Sequence, residues 1–147
     1  MFTRTFILFG LVVAAFGCGG PSDARTDSGV PDVATEIREV SPREAQTSIM
    51  KPYSQFVDVR TADEYAGGHA ARAINIPLDE LGSAAGRLEK SEPVYLICET
   101  GNRSEQAAAV LKAAGFNNVL SIEGGTQAWK AAGLPIETRP PHMPPAK

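Results

Sequence analysis

The 147-residue chain reads as one α/β domain, a central and mostly parallel β-sheet with helices on both faces. Three observations point there. Val94-Tyr95-Leu96-Ile97 is a continuous apolar run without alternation, as in a strand buried on both faces. Short strand-favouring runs alternate with helix-type segments along the chain, the rhythm of βα units. Composition is ordinary for a globular protein and the formal charge is only -3, so nothing indicates a nucleic-acid partner.

Residues 1–17 differ in kind. One cation, Arg4, precedes an apolar run over 6–16. A bilayer needs about 20 apolar residues, so the run is too short to span one and fits the h-region of a signal peptide. Residues 18–36 are rich in Gly, Ser, Asp, Pro and Thr and hold no large apolar side chain beyond two valines. Such a stretch cannot bury enough surface to offset its ordering entropy and reads as a flexible tether.

The domain is expected over 37–138, beginning with an edge strand at 37–40. Ser41-Pro42-Arg43-Glu44 offers a cap, a first-turn proline and an acid, so a helix is predicted to about Met50, with Pro52 stopping it. A strand over 56–59 follows. Thr61 and Glu64 have capping-box spacing and open a short helix that Gly67 and Gly68 end. Residues 73–76 read as a strand closed by Pro77, and 78–88 as a helix interrupted by Gly82 and Gly86. After the strand at 94–97 come a helix over 104–114, a strand over 119–122, a turn at Gly124-Gly125 and a helix over 126–132. Residues 139–147 form a Pro-rich tail with no means of packing.

The chemistry is expected where the 94–97 strand runs into Cys98. A cysteine at the C-terminal end of a buried strand, ahead of a helix, sits where α/β sheets place ligands. Loop N–H groups and the helix dipole favour a thiolate there. In the loop Glu99, Thr100, Gly101, Asn102, Arg103, Ser104, the Gly and Asn permit the positive φ of a tight cradle and Arg103 adds fixed charge. The bland alternative is a small core cysteine. Only one other cysteine exists, Cys18, so no Cys-x-x-Cys dithiol is available. Of two histidines, His142 lies in the tail, and His69 is a candidate partner base or a packing residue. No His, Cys and carboxylate cluster has metal-ligand spacing, and no P-loop ending is present. No cofactor is expected.

CETGNRS resembles the active-site loop of the rhodanese-like sulfurtransferases. FVDVRTADEYAGGHAARAINIP upstream and SIEGGTQAWKAAGLPI downstream resemble the same family, in the same order. The resemblance implies a two-step transfer in which the Cys98 thiolate takes the outer sulfur of a donor such as thiosulfate and passes it to a thiol or cyanide. It implies that loop N–H groups hold the persulfide and that Arg103 orders the loop and neutralises the donor, the alternative for Arg103 being a purely structural pairing with an acidic residue under the loop. Asp58, Arg60 and His69 become supporting residues. Glu99 is unusual beside the nucleophile. Phosphatases of the cell-cycle type share the fold and carry Cys-Glu, so phosphatase or arsenate-reductase chemistry stays open. The four residues between Cys98 and Arg103 make a smaller loop than the five in those phosphatases. A non-catalytic, envelope-tethered binding module is a further alternative.

Gly17-Cys18-Gly19 resembles the processing site of bacterial lipoproteins, with Ala15 and Phe16 departing from its usual residues. That likeness implies a lipid on Cys18, a membrane partner through the lipid and a periplasm-facing place, with Gly19 favouring the outer membrane. Oligomeric state is not encoded in any of these features.

Overall fold

The computed structural model describes residues 37–138. The expected signal segment, Cys18, the tether, His142 and the tail lie outside the described residues.

Five parallel strands form the main sheet: β1 (Arg38–Val40), β2 (Gln55–Asp58), β4 (Ile74–Asn75), β5 (Val94–Ile97) and β6 (Val119–Ile122), in spatial order β1-β6-β5-β2-β4. β5 lies at the centre, with Gln55 to Asp58 paired with Val94 to Ile97 on one side. A smaller antiparallel pair joins β3 (His69–Ala70) to β7 (Ile136–Glu137). The connections are α1 (Pro42–Ile49), α2 (Ala62–Ala66), α3 (Leu78–Ala84), α4 (Asn102–Ala113) and α5 (Gly125–Ala131). The expected α/β class and mostly parallel sheet are observed.

Side chains alternate across a strand, so β5 feeds two cores. Val94, Leu96 and Cys98 pack with Val57, Val59, Leu81, Ala108 and Leu111 on the α3–α4 side. Tyr95 and Ile97 pack with Ile49, Phe56, Tyr65 and Trp129 on the α1–α5 side. The continuous apolar run of this strand follows directly, because neither face meets water.

Both predicted caps form. Ser41 Oγ accepts the Glu44 N–H at 3.3 Å. At α2, Thr61 Oγ1 accepts the Glu64 N–H at 3.3 Å, and a Glu64 carboxylate oxygen accepts the Thr61 N–H at 3.0 Å.

Several boundaries differ from expectation for local reasons. β2 starts and ends one residue early, although the Val59 N–H still reaches the Ile97 carbonyl at 2.9 Å. The predicted helix over 78–88 is α-helical only to Ala84, and a 3₁₀ turn over Ala85–Arg87 contains Gly86. α4 starts two residues before Ser104, because Gly101 at φ 112° turns the chain into the helix without a side-chain cap. β3 and β7 were not anticipated, since two-residue strands show no periodicity.

Candidate active site

The loop after β5 wraps around one sulfur. Cys98 is 1% exposed. Its Sγ accepts the Gly101 N–H at 3.1 Å and lies 3.7 Å from Ser104 Oγ. Burial pushes the thiol pKa up, but hydrogen bonds from the Ser104 N–H and hydroxyl and from the Gly101 and Thr100 N–H groups outweigh it. The thiol therefore sits below its ordinary value, and the loop's donors converge on the place where negative charge forms. Ser104 is itself held, its Oγ lying 2.7 Å from the Gly101 carbonyl oxygen and 2.9 Å from the buried Ser121 hydroxyl on β6.

The start of α5 grips the loop's main chain. The Thr126 N–H and hydroxyl both donate to the Cys98 carbonyl, at 2.7 and 2.8 Å, and the Gln127 N–H donates to the Glu99 carbonyl at 3.2 Å. Close approach requires a residue without Cβ at Gly125. A Cβ there would lie 2.7 Å from the Glu99 carbonyl carbon, and φ is +56°.

Two arginines frame the loop. Arg103 does not reach across it as a free cation. Its two Nη groups donate to Glu64 at 2.8 and 2.7 Å. Hydrogen bonding from Arg103 is the main force holding the Glu64 carboxyl down at about 2, and Arg103 is raised in return. The expected role of Arg103 is thus corrected in part: it orders the loop by tying it to α2, and Glu64 balances the charge meant for a donor. Arg60 is buried and donates through Nε and Nη2 to Asp58, and through Nη1 to Glu99 at 3.2 Å. Burial lowers the Arg60 pKa, but the hydrogen bonds and charge of Asp58, with a smaller share from Glu99, leave it raised overall. Asn75 Nδ2 donates to the Asp58 and Arg60 carbonyls at 3.0 and 2.8 Å and fixes the turn between them.

Glu99, Thr100, Gly101, Asn102, Arg103 and Ser104 all belong to this loop or the helix start, while Asp58 and Arg60 stand beside it. His69 belongs elsewhere. Its Nδ1 is 2.9 Å from the Tyr65 carbonyl and its ring stacks on Tyr65 with centroids 3.6 Å apart, a packed position rather than one beside the nucleophile. Glu64, Ser121, Gly125, Thr126 and Gln127 were missed as site residues. Glu64 was visible only as a capping acid, and Ser121 only as a polar residue in an apolar run. Linking them to Cys98 requires the sheet order. A pocket of about 300 Å³ borders the loop at Arg103 and is lined otherwise by Val59, Thr61, Pro77, Leu78 and Asp79.

The Rhodanese-like domain family matches residues 41–132. Thiosulfate sulfurtransferase GlpE of Actinobacillus pleuropneumoniae serotype 3 is 34% identical over 100 residues, which cover 68% of this chain and 93% of GlpE. YrkF of Bacillus subtilis is 30% identical over 76% of this chain, which spans 57% of YrkF's own length. The crystal structure of a rhodanese-related protein from Thermoplasma volcanium superposes with a TM-score of 0.64 at 32% identity, over 70% of this chain and 100% of that one. The matched span takes in the cysteine loop, the Asp58–Arg60 turn and the α5 clamp, and the chain belongs to the rhodanese-like domain family.

Proposed function

We propose that the protein is a sulfurtransferase that moves a sulfane sulfur to a thiol acceptor, or to cyanide in an assay, through a persulfide on Cys98. The observation that carries this reading is the cradle of main-chain N–H groups around a lone buried Sγ, with the Gly101 N–H at 3.1 Å. With thiosulfate, the thiolate attacks the sulfane sulfur, a new S–S bond forms, and the old one breaks with its electron pair leaving on sulfite. The acceptor then attacks the outer sulfur and returns the thiolate. Two half-reactions on one residue give ping-pong kinetics.

The chemistry of GlpE, a named thiosulfate sulfurtransferase, supports the same assignment. The Cys-Glu pair favours phosphatase chemistry as a second reading. That chemistry calls for an arginine fork open to a phosphoryl group, whereas both Arg103 Nη groups are bound to Glu64. This favours sulfur. The test is intact mass after incubation with excess thiosulfate: a gain of one sulfur, removed by cyanide, is expected. Cys98→Ser, whose alcohol cannot carry a persulfide, abolishes both the gain and thiocyanate formation while remaining folded. Thiocyanate turnover by that variant, or faster cleavage of an aryl phosphate than use of thiosulfate, overturns the assignment.

A place in the bacterial envelope is a separate proposal and rests on residues 1–36 alone. With a lipid on Cys18, the protein fractionates with membranes and needs detergent for release, and Cys18→Ala stalls processing or frees it. A wild-type protein that is soluble, with its N-terminus downstream of Cys18, sinks this proposal.

A further inference from the structure

The charges around the loop do not suit a dianion. Arg103 has both Nη groups on Glu64, and the single charge of buried Arg60 is shared between Asp58 at 2.8 Å and Glu99 at 3.2 Å. The pocket bordering Arg103 adds Asp79, which is exposed. Two guanidinium groups thus face four carboxylates, before the charge of the Cys98 thiolate is counted. Glu99 is also fixed in place. One carboxylate oxygen takes Arg60 Nη1 and the other lies 3.4 Å from Gln127 Nε2, while its carbonyl takes the Gln127 N–H. The carboxylate of the residue that follows the nucleophile is therefore held by two partners, although its side chain stays 36% exposed. The remaining pocket walls are Thr61 and the apolar Val59, Pro77 and Leu78, and the apolar three suit a short carbon chain.

We propose that Glu99 and Asp79 select a donor whose sulfane sulfur rides on an uncharged or cationic carrier, a small-thiol persulfide, and disfavour dianionic thiosulfate. This rests on the sulfur-transfer reading above. In the step, the Cys98 thiolate attacks the outer sulfur of R–S–SH. The Cys98 S–S bond forms, the donor's own S–S bond between the carrier sulfur and the outer sulfur breaks with its electron pair on the carrier, the proton stays on the transferred sulfur, and the carrier leaves as its thiolate. Glu99 acts on approach and binding, not on the bond changes.

The experiment compares kcat/KM for thiosulfate and for cysteamine persulfide, whose carrier bears an ammonium group, across ionic strength. Raising salt from about 10 mM to about 1 M shortens the screening length from about 30 Å to about 3 Å. Repulsion from the site predicts that kcat/KM for thiosulfate rises at least about threefold, while that for cysteamine persulfide stays flat or falls. At low salt, Glu99→Gln raises kcat/KM for thiosulfate about tenfold and lowers that for cysteamine persulfide, whose ammonium group loses an attracting carboxylate. Asp79→Asn, at an exposed position where folding is not at issue, shifts thiosulfate in the same direction by a smaller factor. A thiosulfate rate that is unchanged or falls with salt, or variants that move both donors equally, overturns the inference while leaving sulfur transfer standing. If neither donor adds a sulfur to Cys98 by mass, the transfer reading fails and the inference fails with it.

Discussion

Taking water away from a thiol raises its pKa, so a cysteine that is 1% exposed would ordinarily be inert. At Cys98 the opposite balance holds because Ser104, Gly101 and Thr100 direct donors at the sulfur. A depressed thiol pKa extends thiolate chemistry to lower pH, and activity falls as pH drops through it. Ser104→Ala removes one donor and should move the acid limb of the pH–rate profile, or of thiol alkylation, to higher pH; an unmoved limb would take Ser104 out of the site. Glu64 gives a second titration signature. Its carboxyl ordinarily titrates at 4.5 and is held down at about 2. The folded form thus favours the carboxylate, so the stabilisation is complete above pH 4.5 and is lost as pH falls toward 2. Both partners are about a third exposed, at 33% and 36%, which keeps the contribution to about 1 kcal/mol. Melting curves across this window should show Glu64→Gln flattening the acid slope of the wild type.

The Cys98 loop is held by elements that do not contain it. β5 delivers Cys98 to the middle of the sheet, and α5 fixes the carbonyls of Cys98 and Glu99 from behind. Gly125→Ala places a Cβ against Glu99 main chain at a positive φ and should cost about 2–4 kcal/mol. Denaturant titration measures that loss, and the same variant should lose thiolate reactivity at neutral pH even below its melting temperature. The strand, the cysteine and both helix caps were legible in sequence because each depends on neighbours within four residues. The cradle was legible from Gly101, which takes the expected positive φ, and from the family likeness, whereas Asn102 does not take positive φ and instead opens α4. The clamp was not legible. Thr126 follows a Gly-Gly turn as many helix starts do, and nothing local says that its hydroxyl meets a carbonyl 28 positions upstream. An acidic partner for Arg103 was foreseeable, but not which one: Glu64 is 39 positions away and already had a local role in the capping box.

The whole domain is a sheet between two separate cores, and β5 belongs to both. Ile49 lies in one and Leu111 in the other. Ile49→Val should cost about 0.5–1.5 kcal/mol and Leu111→Ala about 2–5 kcal/mol. Because the sheet separates the two sites, the double variant should add within about 0.5 kcal/mol in equilibrium denaturation. Strong coupling would mean that the two layers are one. Sequence alone indicated the layered class, since uninterrupted apolar strands require cover on both faces, but not the β3–β7 pair, whose partners are two residues long and far apart in the chain. The α5 grip on the loop carries a consequence for how the protein is made. Synthesis runs from the N-terminus, so Cys98 leaves the ribosome well before Thr126 and Gln127. Until those residues emerge, the carbonyls of Cys98 and Glu99 lack their α5 donors, although Thr100, Gly101 and Ser104, whose donors serve the sulfur itself, follow Cys98 directly. The frame around the loop's main chain is therefore completed only when the start of α5 is made, Thr126 coming 28 positions after the cysteine it steadies.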